Sequence, residues 1–344
     1  MRVLVTGHRG YIGSVLVPEL IKRGHEVIGC DTGLFEACEF HGEMIDVEDF
    51  KTDIRNITPS MVAGFEAVIH LAGLSNDPLG SYCSQLTNEI NCEATILLAN
   101  LAKKSGTKRF LFASSCSIYG ASGENLLDEQ SPSNPVTPYG RSKLDSEIAL
   151  MKMADSIFSP TFIRAGTVYG VSPRIRFDLV ANNLTAWACS TNKIFLKSDG
   201  NAWRPLIHVR DLAAMYVDLL ESPRVEIHNQ AFNAGGEKAN HRIIQIAETV
   251  RKVIPDSEIV FANDAQPDKR NYRVSSEKIN RLKSLQRPKW TLESGISELY
   301  TQLMRTPDAT DGFEGSRYSR IEHVHHLIQT GILDTDLYQL GNST

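Results

Sequence analysis

Apolar residues in this chain come in short, nearly unbroken runs, separated by stretches in which they recur at helical spacing. Val3-Leu4-Val5, Val27-Ile28-Gly29-Cys30, Ala67-Val68-Ile69-His70-Leu71, Arg109-Phe110-Leu111-Phe112-Ala113 and Thr161-Phe162-Ile163 are runs of the first kind. Continuous rather than alternating apolarity predicts strands buried on both faces. Between these runs the helical period predicts helices that begin near Tyr11 and extend over about 87–105 and 138–154. Strands alternating with helices make βαβ units, so the first half is expected to be α/β: a doubly wound parallel sheet covered on both faces. After Tyr169-Gly170 the pattern loosens into a loop at 171–176, a helix from about 178 to 190, a short strand at 193–197 and later helices. That half reads as a smaller α/β region assembled from non-consecutive pieces, some of which return to the first sheet. The expected division is 1–170, 171–304 and a mostly polar helical appendage at 305–344.

Composition narrows the function classes. With 344 residues, 42% of them apolar, there is ample material for a large core, and a net charge of −5 gives no bulk attraction to nucleic acid or anionic membrane. No apolar stretch approaches the ~18 residues a membrane span requires. The N-terminus runs directly into the first strand, so a soluble, cytoplasmic protein is expected. Six cysteines lie scattered without a C-x-x-C pair and read as reduced thiols. His323, His325 and His326 do not share one helix face, so a solvated face rather than a metal site is expected there.

Against that background one loop stands out. Thr6-Gly7-His8-Arg9-Gly10-Tyr11-Ile12-Gly13 joins the first strand to the first helix, and Asp31 closes the next strand about 20 residues on. Gly7 permits the sharp turn, Gly10 lets backbone amides approach a pyrophosphate, and Gly13 lets the helix pack on the sheet. A carboxylate at Asp31 accepts ribose hydroxyls and repels a 2′-phosphate, which selects NAD over NADP; His8 and Arg9 in the glycine loop are the groups that could oppose this, Arg9 by contacting a phosphate. The fold expected is therefore Rossmann-like.

A second constellation carries chemistry. Pro138-Tyr139-Gly140-Arg141-Ser142-Lys143 places Tyr139 and Lys143 four apart at a helix start, on one face. A phenol titrates near about 10, and the lysine together with a nicotinamide cation is expected to lower it. Upstream, Ser115 ends a strand at the sheet edge where such folds bind ligands. Ser115 can hold a substrate oxygen, Tyr139 can transfer its proton and Lys143 can hold the cofactor ribose.

Together these residues resemble the extended short-chain dehydrogenase/reductase superfamily, in its nucleotide-sugar epimerase and dehydratase branch, from Thr6 to about Lys278. The resemblance implies a nucleotide-diphosphate sugar as substrate and NAD as cofactor. It further implies that Tyr11, Ile12, Leu71, Ala72 and Gly73 line the cofactor, that Asp53 and Ile54 meet the adenine, and that Asn91 orders the site. For the substrate it implies Thr167, Asn183, Leu184 and Arg204, the last as a phosphate-binding fork. Arg270 either replaces the phosphate arginine expected at Ala265 or is a surface residue, and Tyr272 matches a position that limits the sugar substituent. Homodimers would pair through the helix bearing Tyr139 and its neighbour at 87–105.

Departures from the family pattern bear on the reaction. Dehydratases of this branch follow the Ser/Thr with an Asp-Glu pair, whereas this chain has Cys116 and Ser117, which disfavours 4,6-dehydration. Ser75 stands where galactose epimerases carry a lysine, and Val171 where a proline is common. The expected activity is epimerisation at C4 of a related sugar. Dehydration, 3,5-epimerisation with Cys116 as carbon base, 4-keto reduction and a purely regulatory NAD-binding role are the alternatives.

Overall fold

Strand β1 (Arg2–Thr6) pairs in parallel with β2 (Glu26–Asp31) on one side and with β4 (Ala67–His70) on the other. The computed structural model describes residues 1–340 apart from 43, 236, 237, 269 and 310. Outward from β1–β2 lies β3 (Asp49–Lys51); outward from β4 lie β5 (Arg109–Ser115), β7 (Ser159–Ala165) and β11 (Gln230–Ala234). All seven run parallel, in the order β11-β7-β5-β4-β1-β2-β3. The chain leaves β1 towards one edge and returns at β4 towards the other, so the β1/β4 junction is the switch point at which such sheets open a crevice.

Alternate side chains of each strand enter two different cores. Val3, Val5, Ile69, Leu111 and Ile163 pack on one face, Leu4, Val68, Phe110, Phe112 and Phe162 on the other, all with no solvent exposure. Both faces are covered, which is why these strands read as unbroken apolar runs. Truncating one of the buried phenylalanines to alanine costs about 3–5 kcal/mol.

The helix expected at 138–154 spans Pro138–Met153. It starts there because Thr137 accepts the Gly140 amide at 3.1 Å and Pro138 needs no amide partner in the first turn. The helix expected over 87–105 is Ser84–Asn88 and Ala94–Lys104 joined by a wider π turn, Glu89–Glu93. Three small sheets lie outside the main one. β8 (Thr167–Tyr169) and β12 (Asn240–Arg242) flank β10 (Trp203–His208), β9 (Lys193–Ser198) pairs with β13 (Glu258–Gln266), and β6 (Leu126–Leu127) pairs with β14 (Arg273–Val274).

The appendage folds back over the sheet's open edge. His323, on the helix Arg320–Gln329, is buried and lies within hydrogen-bonding distance of the Leu34 carbonyl (3.0 Å) and the Ser316 carbonyl (2.9 Å). It is a packing residue rather than part of a solvated face.

Candidate functional site

Along the sheet's C-terminal edge runs one cavity of about 1120 Å³. Its wall includes Gly7, Gly10, Tyr11, Ile12, Gly13, Asp31, Asp53, Ile54, Leu71, Ala72 and Gly73, then Ser115, Tyr139 and Lys143, then Thr167, Asn183, Leu184, Arg204, Arg270 and Tyr272. Asn91 is the expected site residue that lies off the wall. It is fully buried in the π turn, accepts the Leu74 amide at 2.7 Å and donates to the Leu74 carbonyl at 3.0 Å and to Ser142 at 3.2 Å. It fixes the segment after β4 against the Tyr139 helix, and its side chain is spent on that task.

At one end the site is made of backbone. Gly7 has φ +73°, and a Cβ there would sit 2.7 Å from the Ala72 nitrogen; one on Gly13 would sit 2.3 Å from the Gly7 oxygen. These approaches leave the glycine turn and the start of the helix Gly13–Lys22 facing the cavity as a shallow cradle without side chains, which suits a pyrophosphate. Asp31 is clamped at the end of β2, accepting the Arg9 amide at 3.1 Å and the Gly33 amide at 3.0 Å. The Arg9 side chain turns away to Asp49 at 2.9 Å and Asp46 at 3.5 Å. That settles the opposing role considered for it: the guanidinium is held by two carboxylates. The donors and the cradle fit an NAD adenosine and pyrophosphate.

Two residues at this end are more committed than their spacing suggests. Asp53 gives both oxygens to Arg55, at 3.0 and 2.8 Å, and caps the turn that buries Ile54. The Tyr11 hydroxyl donates to the Gly170 carbonyl at 2.7 Å and stitches the glycine turn to the second region. The last described residues close the end: Arg55 stacks 3.6 Å from the Tyr338 ring centroid, Gln339 donates to the Thr32 carbonyl at 3.1 Å, and Leu333 and Leu337 line the cavity.

In the middle lie the reactive groups. Burial raises the Tyr139 phenol to about 12, with the Ser115 hydroxyl as the strongest opposing influence. Burial also lowers Lys143 to about 8, against the pull of Glu147 one turn on. Among the protein's own groups desolvation dominates the phenol, so the lowering expected of Lys143 falls to it jointly with the nicotinamide cation. Lys143 Nζ lies 4.8 Å from the Phe112 ring centroid and 5.9 Å from that of Tyr139. Beneath them Glu147 takes Arg164 at 2.7 Å and accepts from Ser114, so the strand end that carries Ser115 is braced by a buried ion pair. Cys116 is fully buried, lies off the cavity wall and donates to the Arg164 carbonyl at 3.0 Å; burial pushes its thiol well above the usual range. These facts speak against a carbon-base role.

At the far end the site is made of side chains. Arg204 is buried and its fork is committed: it donates to Asp268 at 2.5 Å and to the Trp203 and Arg270 carbonyls. Arg270, 41% exposed, is not a free phosphate ligand, because it bridges Asp268 at 3.0 Å and Asp77 at 2.8 Å. Burial pushes the Asp268 carboxyl up, but the two arginines hold it below the usual carboxylate range. Asp77 in turn accepts from the Thr137 hydroxyl at 2.6 Å, which ties this network to the start of the Tyr139 helix. Tyr272 is buried against Cys116, Ile118 and Tyr119.

The comparisons with known proteins can be set against this geometry. Residues 3–235 match the model of the NAD dependent epimerase/dehydratase family. The chain belongs to that family. Its relatives within the family include the UDP-glucose 4-epimerase of Bacillus subtilis, 29% identical over 74% of this chain and 82% of that protein. They also include UDP-glucuronic acid decarboxylase 1 of Arabidopsis thaliana, 26% identical over 87% of this chain and 69% of that protein. The UDP-glucose 4-epimerase of Thermotoga maritima, solved with UDP-glucose, superposes with a TM-score of 0.77 at 23% identity, covering 89% of this chain and all of that one.

For a member of this family, NAD is the cofactor and the fold is the expected α/β parallel sheet. Residues that sequence reasoning did not single out complete the cavity. Arg176, fully enclosed beside Tyr139, donates to Asp178 at 2.9 and 2.8 Å and to the Ser75 hydroxyl at 2.9 Å. A cation thus reaches position 75 although its own side chain is uncharged. Asp77, Asp268 and Glu314 also line the cavity. The signal for Arg176 was present in the run Pro173-Arg174-Ile175-Arg176, where two arginines enter an otherwise apolar loop.

Proposed function

We propose that the protein is an NAD-dependent nucleotide-sugar epimerase that works at C4 through a transient 4-keto sugar, with Tyr139 moving the proton. The observation that carries this reading is that Ser115, Tyr139 and Lys143 open onto the same cavity as the Gly7 turn and Asp31, while Cys116 and Ser117 offer no carboxylate for elimination. Gly7, Gly10, Tyr11, Ile12, Gly13 and Leu71 to Gly73 hold the dinucleotide, Asp31 its ribose, and Asp53 and Ile54 flank its adenine. The oxidised nicotinamide supplies a hydride acceptor that can return the hydride, and a positive charge near the phenol. Ser115 holds the C4 oxygen as Tyr139 takes its proton, and Tyr139 gives the proton back after the ketone has turned in the cavity. Thr167, Leu184, Arg204, Arg270 and Tyr272 surround the sugar diphosphate, with the arginine forks facing phosphate oxygens once Asp268 shares them.

The reading includes a homodimer formed through the helices Ala94–Lys104 and Pro138–Met153, which expose Leu97 and Ile148. It also places the enzyme in the cytoplasm; among the described residues no helix is long and apolar enough to cross a membrane. The test is incubation of purified protein with a panel of UDP-, GDP-, CDP- and dTDP-sugars. Retained NAD and a product of unchanged mass support an epimerase. A product lighter by one water, or turnover only with added reduced cofactor, replaces it by a dehydratase or a reductase.

A further inference from the structure

Segment 331–340 closes on itself. Leu333 and Gln339 pair as an antiparallel bridge, Leu340 donates to the Ile332 carbonyl at 2.9 Å, and the Asp334 carboxylate accepts the Asp336 and Tyr338 amides at 2.9 and 2.8 Å. This small loop lies outside residues 3–235, the part that the family model matches, so its role does not follow from family membership. Leu337 stands in the left-handed region at φ +61°, where a bulky side chain is disfavoured. The loop holds that strain while burying Leu333 and Leu337 in the same apolar cluster as Ile54.

Four side chains of the loop, Leu333, Leu337, Tyr338 and Gln339, line the cavity at the Asp31 end, where Asp53 and Ile54 also line it. Arg55 and Thr32 fasten it there. The Arg55 fork grips Asp53 at 3.0 and 2.8 Å and reaches the Asp336 carbonyl at 2.8 Å, and its guanidinium lies 3.6 Å from the Tyr338 ring centroid. Gln339 donates to the Thr32 carbonyl at 3.1 Å. In the chain these anchors adjoin Asp31 and the Asp53-Ile54 pair. We propose that segment 331–340 is part of the NAD site: it forms the outer wall of the adenosine pocket and holds the dinucleotide as a resident group. A purine is apolar on its two faces, and Leu333, Leu337 and Tyr338 add apolar surface to the wall that Ile54 begins. Arg55 and Gln339 fasten that wall, so the adenosine leaves when the loop lifts, and lifting returns both leucines to water. This role depends on NAD as the cofactor and not on the sugar, so it stands or falls apart from the epimerase reading.

The experiment follows the cofactor rather than turnover. Protein loaded with NAD is mixed with excess deuterium-labelled NAD, and the bound cofactor is sampled over time by mass spectrometry after denaturation. Tyr338→Ala combined with Gln339→Ala removes both side-chain ties at exposed positions, and exchange is expected to quicken about tenfold or more, as the loss of a cation–π contact and a hydrogen bond together would do. Tyr338→Phe keeps the ring on Arg55 and is expected to exchange at the unaltered rate. Amide hydrogen exchange across 331–340 in the unaltered chain is the second readout, and it decides even where substitutions loosen the fold. Bound NAD is expected to slow it several-fold relative to protein stripped of cofactor. Equal exchange with and without NAD would take the segment off the cofactor site, and an unchanged rate of NAD exchange in the double variant would overturn its part in retention. Loss of NAD from Tyr338→Phe as fast as from the double variant would remove the ring on Arg55 from the fastening.

Discussion

The two ends of the cavity are built from different materials. Around Gly7, Gly13 and Asp31 the wall is backbone, supplied by consecutive turns of one sheet edge. Around Arg204, Asp268, Arg270 and Asp77 it is side chains paired across separations of 64 and 193 residues. A backbone wall is fixed by the fold and changes only when the fold does. A wall of paired side chains is rewritten by single substitutions, so substrate identity is free to vary above a constant cofactor cradle. That contrast matches relatives that carry one family fold and different names, an epimerase and a decarboxylase among them.

The sharpest way to probe the contrast is at its seam. Tyr139→Phe removes the hydroxyl proposed to transfer the proton without touching either end wall, so turnover is expected to fall by about 10²–10⁴ while the NAD content of the purified protein stays the same. Retained activity in that variant would sink the enzymatic reading. Next in size, Gly13→Ala puts a methyl 2.3 Å from the Gly7 oxygen. Absorbance of cofactor released on denaturation is expected to drop to a small fraction of the normal amount, together with a lower melting temperature. Gly7→Ala adds the strain of a positive φ, about 1–3 kcal/mol, and should behave alike.

On the other wall, Arg270→Ala frees Asp77 and Asp268 from a shared partner. It is expected to raise KM about tenfold, as the loss of a charge-assisted contact does, with bound NAD unaltered. Loss of NAD in this variant would show that the two ends are not separable. The smallest effect concerns the buried His70, which lies 2.6 Å from the Thr6 hydroxyl and 2.7 Å from that of Thr95, behind the cofactor cradle. Burial lowers it from 6.5 to about 3. Between those values the unfolded chain binds a proton that the folded one refuses, so stability is full above about pH 6.5 and declines as the pH falls towards 3. Urea midpoints at pH 7 and pH 5 should show this decline, and His70→Asn should flatten it.

The same division separates what could be read in the sequence from what could not. The glycine turn, Asp31 and the Tyr139/Lys143 pair are local patterns whose spacing is itself the geometry, so they point to the cavity directly. Asn91 was harder, because its position depends on the π turn Glu89–Glu93, which adds a residue to what reads as one continuous helix. β11 escaped notice because Gln230–Ala234 is too short and too mixed to show a period, yet it completes the main sheet beside β7. The commitments of Arg204 and Arg270 were out of reach, since Asp77 and Asp268 become their neighbours only through the fold. Glu314 lay in a segment that reads as a polar appendage, and nothing local marks it as part of a wall.

The C-terminal segment that closes the Asp31 end of the cavity comes last in the chain. Leu333, Leu337, Tyr338 and Gln339 are translated after every strand of the sheet, the glycine turn and Tyr139. The sheet and the glycine turn are thus complete in the chain before the segment that covers them. The contacts of Tyr338 with Arg55 and of Gln339 with Thr32 are therefore the last of that wall to become possible on the ribosome.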